Sequence, residues 1–254
     1  MTCVLDGAVF RDRKNRRCIA LNSGLDHCLT LGEDGSQTFT LRSGDTNSVM
    51  SHDRGQAKVR TMATAFERGP AGTGFLPVLQ SVWFEGRVEI GGNYARMGPT
   101  PPDSPYWWFV LAQLQHMPDG PTSPPISLNI EIVNGMEYFA VWISDDANPG
   151  GRKLPGPRVI VPRPSKTEAR PFTYRFDYTD AQGGPDGRAK VTITEDGKPP
   201  VVICDYRGVT GSRSTVGLYP GWGIYGISKW RPKQLPLVMR FDALDWGVSP
   251  TATA

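Results

Sequence analysis

Histidine and cysteine are scarce in this chain of 254 residues, which holds 3 histidines and 4 cysteines. The cysteines, Cys3, Cys18, Cys28 and Cys204, form no Cys-x-x-Cys pair. His27 stands beside Cys28, but the sequence offers no further ligands at the spacing of a zinc site. The sequence is compatible with a disulfide between Cys18 and Cys28 but does not imply one. We therefore predict no metal site and no cofactor.

Strong charge and long apolar runs are also lacking. The net charge is only +3, and the one dense basic run, Arg11 to Arg17, is best interpreted as a solvated loop, so we expect no nucleic-acid partner. No apolar stretch reaches membrane-spanning length, and the N-terminus lacks the apolar core of a signal peptide. We expect no membrane partner and leave localisation open: the protein is cytoplasmic or phage-borne, or its export signal is missing from this sequence.

Several catalytic patterns are absent as well. There is no defensible Ser-His-Asp spacing, no His-Glu-x-x-His, no P-loop and no dinucleotide-binding glycine pattern. Glu85 and Glu89 are wrongly spaced for the paired carboxylates of a retaining glycosidase. Asp145 and Asp146 are interpreted as solvated loop carboxylates rather than calcium ligands.

Turn residues and alternating apolar residues are abundant instead. Glycine (29) and proline (23) are spread along the chain between segments of two-residue hydrophobic period. About a dozen strands follow, with no convincing amphipathic helix. The strands predicted most clearly are Gln37 to Arg42, Ala57 to Phe66, Gln80 to Ile90, Trp107 to Met117, Met136 to Ile143, Phe172 to Tyr178, Arg188 to Thr194, Pro200 to Cys204 and Leu235 to Trp246. We predict an all-β chain: a concanavalin-like or jelly-roll β-sandwich of two packed antiparallel sheets with a concave groove. Residues 1–247 would form one domain and 248–254 a disordered tail.

The stretch from Tyr106 to Val133 organises this prediction. An apolar run, WWFVLAQLQHM, ends in a polar cluster of Gln113, Gln115 and His116. A turn rich in proline and glycine follows, and then ISLNIEIV alternates cleanly. On a regular strand both glutamines point to the face opposite His116, so a bulge would be needed to unite them.

Four motifs, in order over residues 37 to 247, resemble the heparin-lyase-like and alginate-lyase-like polysaccharide lyases. They are VLAQLQH with its turn and PPISLNIEI, the stretch from Phe172 to Cys204 ending in KVTITEDGKPPVVIC, then LYPGWGIYGIS, and finally MRFDALDWG. The first is similar to the family's strand ending in Gln-x-His, and the third to its Tyr-Phe-Lys-x-Gly-x-Tyr pattern. The resemblance implies a β-jelly roll and β-elimination on an anionic, uronate-containing polysaccharide.

The roles that the resemblance implies can be placed on this sequence. A base removes the proton at C5 of the uronate, an acid protonates the leaving glycosidic oxygen, and a cation or amide neutralises the substrate carboxylate. His116 would be the base and Tyr225 the acid. The substrate-binding residues would be Gln113, Gln115, Arg60, Tyr219, Trp222 and Lys229. Secretion would also be expected of such an enzyme.

The chain departs from the family pattern at three points. Gln115 directly precedes His116 where the family has Gln-x-His, the motif's lysine falls on Gly221, and the glutamate that follows the strand arginine falls on Met62. Two alternatives therefore stay open: a non-catalytic carbohydrate-binding sandwich, and a structural or viral attachment sandwich. The sequence leaves the polysaccharide, the cleavage mode and the oligomeric state undetermined.

Overall fold

The computed structural model describes residues 1–21, 27–42, 45, 58–65, 76–91, 107–117, 123–133, 136–163, 168–227 and 236–250. Sixteen β-strands lie in these residues: β1 (Thr2–Cys3), β2 (Val9–Arg11), β3 (Arg17–Leu21), β4 (Leu29–Leu31), β5 (Gln37–Leu41), β6 (Lys58–Ala65), β7 (Ser81–Gly91), β8 (Trp107–Met117), β9 (Ile126–Val133), β10 (Met136–Asp145), β11 (Asn148–Lys153), β12 (Phe172–Thr179), β13 (Gly187–Glu195), β14 (Val201–Gly208), β15 (Gly217–Ile227) and β16 (Leu237–Val248). No helix in this described part has the length and apolar character of a membrane span.

The strands form two eight-stranded antiparallel sheets. The first sheet has the order β1-β4-β5-β16-β7-β12-β13-β14, and the second has the order β11-β10-β9-β8-β15-β6-β3-β2. The central neighbours of the second sheet, β8 and β15, are more than 100 residues apart in the chain, so this sheet is built from long-range pairings. The predicted all-β sandwich of two packed antiparallel sheets is confirmed.

The core lies between the two sheets and follows the two-residue period of the strands. On β12 the inward side chains are fully buried while their neighbours stay partly exposed, and the inward residues are Phe172, Tyr174, Phe176 and Tyr178. Aromatic rings meet across the interface: Phe139 of β10 contacts Phe172 at 5.0 Å between ring centroids, edge to face. Such pairs add to the stabilisation from burial alone.

Two strands have sequences that hydrophobic alternation does not predict. Strand β11 lies between β10 and β12 in the chain and pairs with β10 at the edge of the second sheet. Its sequence, NPGGRK, gives no hydrophobic alternation because most of its side chains are exposed or half-buried. The glycine-rich stretch around Tyr219 and Tyr225 is a single strand, β15, although proline and glycine are depleted from strands in general.

Gly86 lies within the continuous strand β7. It pairs with Tyr174 of β12, and a Cβ atom at Gly86 would lie 2.4 Å from the Tyr174 hydroxyl oxygen. Glycine is required here because the buried phenol occupies the space of a side chain, not because the strand bends.

Candidate functional site

A groove of about 320 Å³ lies on the face of the second sheet that points away from the core. Strands β8, β9, β10 and β15 supply its floor, and residues from β11 form part of its rim. The residues that line it are Val110, Gln113, Ser123, Pro124, Ser127, Asn129, Trp142, Ile143, Gly150, Gly151 and Tyr225.

The register of β8 decides which polar side chains reach this groove. A bulge at Leu111 interrupts the pairing of β8 with β9, but it precedes the polar cluster. From Ala112 onward the strand is regular, so Gln113 and Gln115 share the outward face, whereas Leu114 shares the inward face with His116.

His116 accordingly lies on the interior side of β8. It pairs with the fully buried Leu218 and keeps only 4% of its surface exposed. This position argues against the predicted role of His116 as the base, because the bulge that would bring it to the glutamines lies too early in the strand. Gln115 takes the outward position two residues after Gln113.

Tyr225 reaches the groove from β15. It pairs with Val110 of β8, packs against Val110 and Met62, and keeps 9% of its surface exposed. The neighbouring Gly223 has φ of +124°, and a Cβ there would lie 2.6 Å from the Thr61 carbonyl oxygen. Glycine at this point lets β15 pass close to β6 and fixes the position of the phenol.

Trp222 does not reach the groove. Its indole is fully buried between the sheets, its Nε1 donates a hydrogen bond of 2.8 Å to Gln37 Oε1, and its ring lies 5.8 Å from that of Trp246. Strand alternation places Trp222 on the inward face of β15, and this core position argues against its predicted role in substrate binding.

The remaining predicted site residues are placed less completely. Tyr219 pairs with Gln115, and both are half-buried on the outward face. Arg60 pairs with Tyr225 across β6 and β15. The structure describes only the backbone of Arg60, and Lys229 lies outside the described residues.

Buried amides are concentrated in this groove. Gln113 and Asn129 are 1% and 4% exposed, and neither Gln113 Oε1 nor Asn129 Oδ1 has a hydrogen-bond partner among the described residues. A buried polar atom without a partner costs free energy. Because both residues line the groove, hydroxyl or amide groups of a ligand would satisfy them.

One wall of the groove is an aromatic ring that is hydrogen-bonded to a buried carboxylate. The Trp142 indole N–H donates to Glu131 Oε1 at 3.0 Å, and Lys153 forms a salt bridge with the same carboxylate. The Glu131 side chain is only 4% exposed, whereas the Lys153 side chain is 50% exposed, so the carboxylate is buried and its cationic partner lies at the surface. The ring is therefore fixed in orientation where a sugar face could pack against it.

Sequence analysis missed Ser127, Asn129 and Trp142 as groove residues. Ser127, Asn129 and Glu131 alternate with apolar residues on β9 and resemble a solvent-facing row, yet all three are at least 93% buried. Only the structure shows that this polar row pairs directly with the strand that carries Gln113.

Comparison with known proteins gives a clear result for structures only. No family model matches the chain, and no curated protein matches its sequence. Among solved structures, the alginate lyase from Klebsiella pneumoniae aligns over 89% of this chain and 86% of its own, with a TM-score of 0.57 and 13% identity. The family 7 alginate lyase A1-II′ with bound product aligns over 95% of this chain and 93% of its own, with a TM-score of 0.55 and 9% identity.

This chain shares the jelly-roll fold of alginate lyases. An alginate lyase from Pseudomonas aeruginosa gives the same result, with a TM-score of 0.51, 12% identity and coverage of 89% and 88%. The predicted fold class is confirmed, and the alginate-lyase-like part of the resemblance holds at the level of fold. The heparin-lyase-like part stays a prediction.

Proposed function

We propose that the protein is a polysaccharide lyase that cleaves a uronate-containing polymer by β-elimination, with Tyr225 as its proton-transfer group. The observation that supports this most is the meeting of Tyr225 with the amide of Gln113 in one groove. The shared fold with alginate lyases is consistent with it. Among the described residues that line the groove, Tyr225 has the one titratable side chain.

The groove supplies the parts that elimination needs. The substrate carboxylate would accept hydrogen bonds from the Gln113 amide, which stabilises the charge that develops when the C5 proton leaves. Tyr225, acting as the base in its deprotonated form, would take that proton. The C5–H electron pair then forms the C4–C5 double bond, the C4–O4 bond breaks, and the phenol returns its proton to O4.

One phenol performing both transfers restricts the substrate. The proton at C5 and the oxygen at C4 must lie on the same face of the sugar ring, so that one hydroxyl reaches both. This relation holds in D-mannuronate and D-glucuronate units but not in L-guluronate or L-iduronate. We therefore propose a polymer of D-mannuronate or D-glucuronate as the substrate.

The test compares three polymers. Polymannuronate, glucuronan and polyguluronate are incubated with the protein, and the ultraviolet absorbance of unsaturated uronates is followed. We expect a signal from the first or second polymer only. The variant Tyr225→Phe should lose at least about a hundredfold in kcat, the low end for loss of a general acid–base group. The control His116→Gln should keep its activity wherever its folding is unchanged. Activity that depends on His116 and not on Tyr225 would refute the assignment.

A second candidate function is glycan binding without cleavage. The observation that favours it is the outward Gln115 at the place where the family's pattern has a histidine, since an amide cannot take a proton from carbon. In that case calorimetry would show binding of the same polymers with no absorbance change, and Tyr225→Phe would affect affinity alone.

A further inference from the structure

His27, Cys28 and Asp45 converge at one end of the hairpin formed by β4 and β5. Cys28 directly precedes β4 and Asp45 follows β5 by four residues. The ladder continues past β4, because the Thr40 N–H donates to the Cys28 carbonyl at 3.0 Å. This brings together side chains that are 17 and 18 positions apart in the chain, and it supplies the third ligand type that the sequence alone did not show beside His27 and Cys28.

The ligand atoms lie at distances compatible with one shared ion. His27 Nε2 is 3.1 Å from both carboxylate oxygens of Asp45, and Cys28 Sγ is 3.9 Å from Asp45 Oδ2. All three ligand atoms fall within 4.8 Å of one another. Two ligands on a tetrahedral zinc ion, with bonds of about 2.0–2.3 Å, are about 3.3–3.7 Å apart. The measured separations bracket this range, so small shifts would suffice.

The backbone holds both anionic ligands in place without an ion. The Cys28 carbonyl also accepts a hydrogen bond of 2.7 Å from Thr61 Oγ1 of β6, so both sheets anchor it. The Asp45 carboxylate accepts the Arg42 N–H at 2.7 Å, and the Asp45 N–H donates to the Arg42 carbonyl at 3.1 Å. Such outer contacts orient metal ligands in known sites.

A catalytic cysteine explains the same cluster less well. Cys28 is fully buried, and its thiol lies 3.9 Å from the Asp45 carboxylate, so a cysteine nucleophile at this position would be out of reach of a substrate. Thiol, imidazole and carboxylate are, by contrast, the three donor types that zinc binds. The His27 side chain keeps 14% of its surface exposed and offers an entry path.

We propose that His27, Cys28 and Asp45 bind a divalent ion of the zinc class, with the fourth position open to solvent beside His27. Binding exchanges the thiol proton of Cys28 for the ion and releases that proton to solvent. The site is separate from the groove and ties the β4–β5 hairpin to β6, so its role is structural.

Cobalt(II) tests the proposal because a thiolate ligand gives it a charge-transfer absorption band. The untagged full chain is freed of metal with a chelator, kept reduced, and titrated with cobalt(II) and then zinc(II). We expect one equivalent of cobalt to give the band and zinc to abolish it, and bound zinc to raise Tm. The variant Cys28→Ser should lose the band, and His27→Gln and Asp45→Asn should bind at least about tenfold more weakly.

Cys3→Ser is the matched control, because Cys3 is the exposed cysteine and lies outside the cluster. It should bind cobalt like the wild type. The proposal is overturned if folded wild-type protein shows no band. It is also overturned if Cys3→Ser abolishes the band, or if both His27→Gln and Asp45→Asn leave the band unchanged. If Cys28→Ser fails to fold, the other two variants decide, with far-ultraviolet circular dichroism confirming their fold.

Discussion

Replacing Asp180 with asparagine should stabilise the protein at neutral pH and not at pH 4. Asp180 follows β12 and is fully buried. Its Oδ1 accepts the Gln182 N–H at 2.8 Å, but its Oδ2 has no hydrogen-bond partner among the described residues. Burial, with the nearby negative charge of Asp146, raises the pKa of the Asp180 carboxyl to about 6, despite the hydrogen bond from Gln182.

The size of the effect follows from linkage between protonation and folding. The folded carboxyl keeps its proton to about pH 6, whereas the unfolded chain loses it near the ordinary value of 3.8. Its contribution to stability is therefore fully present below pH 3.8 and is lost as the pH rises through 6. At about 1.4 kcal/mol per pH unit, the loss is about 3 kcal/mol. Asparagine carries no charge at any of these pH values, so Asp180→Asn avoids it.

Urea unfolding of wild type and variant at pH 4 and pH 8 measures this directly. About 0.6 kcal/mol of this loss has already occurred at pH 4, so the stability advantage of Asp180→Asn should be about 2.4 kcal/mol larger at pH 8 than at pH 4. This corresponds to roughly 5–10 °C in Tm for a chain of this size. Asp186→Asn, at an exposed position in the same turn, is the control and should show little pH-dependent difference. If Asp180→Asn changes the free energy of unfolding equally at both pH values, the reasoning is refuted, because an effect that does not change with pH cannot come from ionisation of the Asp180 carboxyl.

Three further outcomes follow from the site geometry. Gln115→His should place an imidazole on the groove face beside Gln113. The variant should create or raise lyase activity on polyguluronate, measured by the ultraviolet absorbance of unsaturated uronates. A folded but inactive variant would contradict the assigned face. Trp142→Ala should weaken glycan binding by about fivefold to tenfold in calorimetry, within the range of one aromatic contact. Trp142→Phe should lose less affinity, and equal losses in the two variants would show that the ring face is not used. Gly223→Ala should lower the free energy of unfolding by about 1–3 kcal/mol, measured in urea, because alanine would carry a strained positive φ and a Cβ close to the Thr61 carbonyl. An unchanged unfolding midpoint would contradict the close approach of β15 and β6.

The sequence was most informative where one face of a strand is buried. The alternation from Phe172 to Tyr178 predicted β12 to within a residue at its C-terminal end, because burial imposes a two-residue period on apolar side chains. It was least informative where side chains carry no such period. Strand β11 was missed for this reason, since its pairing depends on backbone hydrogen bonds with β10 rather than on side chains.

Candidate residues were predicted in the same uneven way. Tyr225 and Gln113 were singled out by motif, and the fold places both in one groove. His116 was chosen for its chemistry, but its face depends on where a bulge lies, and a bulge at Leu111 cannot be located from residue types. Trp222 shows the same limit, because an indole suits a sugar and a core equally well.

Composition and local pattern alone determined that this chain is a β-sandwich with its core between two sheets, because burial selects residue type one position at a time. Only the tertiary structure decided which side chains meet: Tyr225 with Gln113, and His27 and Cys28 with Asp45. The physical reason is that pairing between strands distant in sequence, down to the register of a single residue, sets the face on which each side chain emerges.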